Sequence, residues 1–119
     1  MTMEECYARM GADYTDVLRR LGKEERIRRF LARLPEDESF PNLCRALEEQ
    51  NVEEAFRAAH SLKGICMNLG LGALCRSATA LTEELRNGEL VEISAPLVQQ
   101  LEKDYRETIR AIAELLDEG

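Results

Sequence analysis

The 119-residue sequence predicts an all-α fold: an antiparallel up-down four-helix bundle with additional short helices at its N-terminus. Three observations carry this. Apolar residues recur at i, i+3, i+4 and i+7 along the whole chain, the spacing that lines one face of a helix. No stretch alternates β-branched and polar residues as a half-buried strand would. Gly11, Gly22, Gly70 and Gly88 fall where periodic runs stop. The length suits one domain over residues 1–119, with 1–34 as covering helices and 39–117 as the bundle.

The elements follow in order. Met3, Cys6, Tyr7 and Met10 form the first apolar face, which Gly11 ends. Asp13 can cap a short helix whose face is Tyr14, Val17, Leu18 and Leu21, with Gly22 as its stop. Ile27, Phe30, Leu31 and Leu34 repeat the spacing until Pro35. Ser39 is placed to cap a helix carrying Phe40, Leu43, Cys44 and Leu47.

Asn51 and Glu54 form a capping-box-like pair before the stripe Val52, Ala55, Phe56, Ala59, Leu62, Cys66 and Leu69. Gly70 closes that helix. Past the Gly70-Leu71-Gly72 turn comes the stripe Leu74, Cys75, Ala78, Leu81 and Leu85, ended by Asn87-Gly88. Ser94 can cap the last helix, and Pro96 is tolerated in its first turn. Its inner face reads Leu97, Leu101, Tyr105, Ile109 or Thr108, Ile112 and Leu116. The four main helices are thus expected at about 39–50, 52–69, 71–87 and 95–117.

Composition narrows the function. A formal charge of −7 disfavours nonspecific nucleic-acid binding, which needs a basic footprint, and docking on an anionic membrane. Cys6, Cys44, Cys66 and Cys75 contain no Cys-x-x-Cys pair, and no second histidine completes a mixed zinc site, so no metal is expected. They read as small buried hydrophobes kept reduced; Cys66 and Cys75 flank one tight turn, which leaves a disulfide conceivable. Neither a signal-peptide pattern nor a membrane-length apolar run occurs, and the expectation is a cytoplasmic monomer.

His60 is the only histidine. A lone helical histidine is ordinarily an edge residue without a role. At 100° per residue, however, His60 lies roughly 120° from the centre of its helix's apolar stripe, on a solvent-reachable flank. Gly64 follows one turn later on the same face. A mid-helix glycine costs about 1 kcal/mol relative to alanine. Close helix packing would explain it, but Gly64 points away from the stripe, and clearance for a bulky partner explains it better. Lys63 would be merely solvated on most helices. Here its stem can lie along the stripe edge while its ammonium reaches toward the imidazole.

The segment Ala59-His60-Ser61-Leu62-Lys63-Gly64, continuing to Leu69-Gly70, resembles the A-H-x-L-K-G-x-x-x-x-L-G signature of histidine phosphotransfer domains at all seven fixed positions. The resemblance extends to Phe-Arg-Ala-Ala at 56–59 and Leu-Thr-Glu-Glu-Leu-Arg at 81–86. It is to a stand-alone form, with no room for a kinase ATP site or a receiver domain. The resemblance implies that His60 Nε2 accepts a phosphoryl group, Lys63 neutralises it, and Gly64 admits the partner's active-site loop. It implies receiver domains of response regulators as partners, those of a hybrid sensor kinase among the candidates. The chain itself would bind no cofactor, with Mg²⁺ held by the partner.

Family members often carry a Gln or Glu on the following helix that hydrogen-bonds near the histidine. Here that position is Thr82, which has shorter reach; Glu83 is the alternative. Phe56 and Met67 border the expected docking flank, Phe56 reading more as core and Met67 more as surface, with Arg57 nearby. A bundle of the same shape that binds a receiver or another signalling protein without transfer is the competing reading. A general-base enzyme would want an orienting carboxylate and an oxyanion site, and neither is evident.

Overall fold

The computed structural model describes residues 1–86, 88 and 94–117. Among these, every regular element is helical: α1 (Met3–Arg9), α2 (Tyr14–Leu21), α3 (Glu24–Arg33), a 3-10 turn (Leu34–Glu36), α4 (Ser39–Glu48), α5 (Val52–Leu69), α6 (Ala73–Leu85) and α7 (Ser94–Asp117). Helix α5 lies against α4 and α6, and α6 packs on α7. Phe40 of α4 meets Tyr105 of α7 with ring centroids 3.9 Å apart, so α4 and α7 also touch. Helices α1 and α3 rest on α7, and α3 reaches α5. One cluster of buried side chains runs through all of them, from Met3 to Leu115.

The stripe read from α5 is the face that packs. Ala55, Ala59, Leu62, Cys66 and Leu69 are buried, while Val52 and Phe56 are half-buried. Asn51 Oδ1 accepts the Glu54 N–H at 3.2 Å, one half of a capping box. The other half is not made: the Glu54 carboxylate accepts instead from Arg57 Nη1 at 2.9 Å. At the far end Gly70 takes a left-handed φ of 62°. The Gly70 N–H then donates to the Met67 carbonyl and the Leu71 N–H to that of Cys66, closing the helix as a Schellman motif. Leu71 is fully buried, which supplies the apolar contact such a cap needs.

The N-terminal helices dock on this turn. A Cβ added to Gly70 would come 2.4 Å from Val17 Cγ2, and one on Gly72 would come 2.3 Å from the Gly11 carbonyl oxygen. The Ala73 N–H donates to the Met10 carbonyl at 3.0 Å. Helix α6 has no side-chain cap of its own, so Met10 satisfies an N–H of its first turn from across the molecule. Tyr7 Oη donates to the Leu69 carbonyl at 2.8 Å, and Arg20 Nη1 to that of Asn68 at 3.1 Å.

Two local expectations are corrected. Ser39 is the first residue of α4 and not its cap: Glu38 occupies the cap position, and Asp37 Oδ1 accepts the Ser39 N–H at 2.8 Å. Pro35 stops α3 but allows the 3-10 turn, which leaves Asp37 extended and able to reach forward. On α7 the buried residues are Leu101, Asp104, Tyr105, Thr108, Ala111, Ile112 and Leu115, whereas Leu97, Ile109 and Leu116 are half-buried. At 100° per residue Leu115 lies about 20° from the centre of this buried face and Leu116 about 80° from it, so Leu115 turns inward in its place. Asn87 and the Ser94 side chain lie outside the described residues.

Candidate functional site

The middle of α5 presents His60 on its outer flank. The residue is exposed, while Ala59 and Leu62 beside it are fully buried. Among the described residues nothing hydrogen-bonds to either ring nitrogen. One turn earlier, the half-buried Phe56 ring packs against the imidazole, with centroids 5.8 Å apart and planes inclined by 30°.

One turn later, Gly64 is exposed, and a Cβ there would meet nothing within 4 Å. Close helix packing therefore does not account for this glycine. Lys63 is half-buried between the histidine and the core edge, where the stripe geometry puts it. Met67 is 54% exposed, the most exposed large apolar side chain of the described chain. Arg57 is also exposed and is engaged by Glu54.

Helix α6 contributes the neighbouring wall. Arg86 sits over the Phe56 ring with Cζ 5.2 Å from its centroid. It donates to Glu83 through Nε at 3.3 Å and Nη2 at 3.1 Å. Those hydrogen bonds, with the Arg86 charge, hold the Glu83 carboxyl below the usual carboxylate range, and the Lys63 charge adds to the effect.

Thr82 does not belong to this surface, contrary to expectation. It is fully buried, and its hydroxyl donates to the Ala78 carbonyl at 2.7 Å, one turn back on its own helix. On α6 the face that packs inward runs Ala78, Leu81, Thr82 and Leu85, so position 82 points into the core and 83 and 86 point out. The residue missed from sequence is Arg86. Its pairing with Glu83 was readable as an i, i+3 charge pair, but its seat on Phe56 depends on how α5 and α6 are rotated against each other.

The four cysteines are free thiols, Cys6 and Cys66 buried, Cys44 and Cys75 half-buried. Burial pushes the Cys66 thiol far above its ordinary range. Among the described residues no group of three His, Cys, Asp or Glu side chains is arranged to hold a metal ion. No helix among them is long and apolar enough to cross a membrane.

The Hpt domain family model matches residues 25–118, a span that starts within α3 and takes in α4 to α7. No curated protein and no solved structure matches the chain. The matched span contains His60, Lys63 and Gly64 and leaves out α1 and α2. The chain therefore belongs to the Hpt domain family, whose business is histidine phosphotransfer with receiver domains in two-component phosphorelays.

Proposed function

We propose that this protein is a phosphorelay intermediate that carries a phosphoryl group on His60 between aspartyl-phosphate receiver domains. The observation that carries the reading is the exposed imidazole with Lys63 at its inner side and open space over Gly64. Phosphoryl transfer asks for in-line approach and charge neutralisation, and this arrangement offers both.

The step balances as follows. The lone pair of neutral His60 Nε2 attacks the phosphorus of the partner's aspartyl phosphate. The bond from phosphorus to the carboxylate oxygen breaks, and the aspartate leaves with the electron pair. The ring gains a positive charge as the nitrogen–phosphorus bond forms, and the proton stays on Nδ1. Lys63 faces the phosphoryl oxygens as a mobile point charge. The reverse step returns the group to a second receiver. We assign Mg²⁺ to the partner's site and none to this chain.

Docking uses the flank of α5 and α6, with Phe56, Met67 and Arg57 at its border and Glu83 and Arg86 beside it. Met67 gives a soft apolar contact suited to weak, reversible recognition. We further propose that α4 to α7 alternate up and down as an antiparallel bundle, supported by the short α4–α5 and α5–α6 connections, and that the chain works as one cytoplasmic, monomeric unit.

Mixing the protein with a labelled, phosphorylated receiver and Mg²⁺ tests this, with His60→Gln as control. Acid-labile, base-stable label on the wild type alone is expected. No transfer from a panel of receivers that nevertheless bind the protein would replace the shuttle with a non-transferring adaptor.

A further inference from the structure

We infer that Phe56, steadied by Arg86 of α6, sets the plane of the His60 imidazole, and that this ring-on-ring contact is the positioning device for the phosphoacceptor. The inference rests on the proposed phosphotransfer and names which residues make it fast. An exposed helical histidine without a hydrogen-bond partner is free to turn about two side-chain torsions. Something must restrain it if Nε2 is to meet phosphorus in line.

Helix α6 supplies no hydrogen bond for that purpose among the described residues. Thr82 is buried with its hydroxyl spent on Ala78, and Glu83 is bound by Arg86. The described side chain whose ring meets the imidazole is that of Phe56, at 5.8 Å and 30°. Phe56 is half-buried and packed against the core, so it can act as a fixed plate.

Arg86 holds the plate from α6. Its guanidinium lies over the same ring at 5.2 Å, and the two hydrogen bonds to Glu83 fix the guanidinium in turn. The contact also has an electrostatic sense. The face of a phenyl ring carries partial negative charge and attracts a cation within about 6 Å. The imidazole becomes cationic as Nε2 takes the phosphoryl group, so a phenyl face beside it favours the product ring over the neutral one. A leucine of similar volume would fill the space without this effect and without an aromatic plane.

The test uses the full chain with Phe56→Leu, Phe56→Tyr and Arg86→Gln, each first shown to keep wild-type helicity. Two readouts are taken. Proton and nitrogen NMR of the unphosphorylated protein reports the ring-current shift of the His60 ring protons and their line widths. Single-turnover transfer from an aspartyl-phosphorylated receiver reports the rate. Phe56→Leu is expected to abolish the ring-current shift, free the imidazole, and slow transfer by about tenfold to a hundredfold, the upper end being the loss that a misplacement of about 1 Å produces. Phe56→Tyr should restore both, and Arg86→Gln, on the exposed side, should lie between.

Transfer by Phe56→Leu at the wild-type rate, or a wild-type His60 with no ring-current shift, overturns the inference. If Phe56→Leu fails to fold, Arg86→Gln decides alone: wild-type ring mobility and rate in that variant also overturn it. Should the wild type accept no phosphoryl group at all, the shuttle reading fails, while the NMR arm still decides whether Phe56 orients the ring.

Discussion

Gly64 and Lys63 illustrate how one residue can be tested for function apart from fold. Because a Cβ at Gly64 would meet nothing, Gly64→Ala is expected to stabilise the free protein by up to about 1 kcal/mol through helix propensity alone. Gly64→Gln should fold equally well yet lose most transfer, since its side chain stands in the partner's path. Urea denaturation and a transfer assay on the two variants check this; wild-type transfer in Gly64→Gln would refute the clearance argument. Lys63→Ala should keep helicity and slow transfer about tenfold or more at low ionic strength, with a smaller loss at high salt where charge is screened. The thiols separate by burial. Cys6 and Cys66, fully buried with burial raising both thiols above their ordinary range, should react with a maleimide after Cys44 and Cys75 do, as read by peptide mapping of a labelling time course. His60, Lys63 and Gly64 were all legible in the sequence because one helix carries them, and a 100° step between residues places them without knowledge of any neighbour. Thr82 and Arg86 were not, because their roles are decided by the rotation of α6 against α5, a fact of packing and not of spacing.

Among the elements, the α5–α6 turn is held tightly. Gly70 and Gly72 both have positive φ, and both lie against the N-terminal segment. A Cβ on Gly70 would meet the end of a side chain, Val17 Cγ2, whereas one on Gly72 would meet the Gly11 backbone, which has little room to give. Gly72→Ala is therefore expected to destabilise by about 2 kcal/mol or more, through left-handed strain and the forced retreat of α1, and thermal denaturation by circular dichroism would measure it. A wild-type melting temperature in that variant would show that the joint yields more easily than its distances imply. The two glycines were read as a turn from sequence; that the turn is also a socket was not readable, since the plug lies far away in the chain. The same limit explains Ser39. A serine before an apolar run satisfies the local rule for a cap, but after the 3-10 turn at Leu34–Glu36 the helix already begins at Ser39, whose own N–H donates to the Asp37 carboxylate.

At the scale of the whole molecule, α1 and α2 lie outside the family match yet are built into the core. Met3, Cys6, Tyr7, Met10 and Val17 are buried, and Arg9 of α1 pairs with Glu114 of α7. Each fully buried apolar side chain is worth roughly 1.5–3 kcal/mol, against a total stability of about 5–15 kcal/mol for a domain. Deleting residues 1–22 is thus expected to cost most of that stability, leaving a chain that melts broadly and binds hydrophobic dye. A truncated protein melting cooperatively within about 4 °C of the intact one would show the segment to be dispensable. The hydrogen bond from Ala73 to the Met10 carbonyl gives the architecture a temporal order. A helix whose first amide is satisfied by a distant stretch of main chain cannot finish its own beginning until that stretch arrives. The Ala73 amide should accordingly exchange with deuterated solvent only in rare, global openings, while the Glu54 amide in the first turn of α5, served by Asn51 of the same turn, exchanges through local fraying.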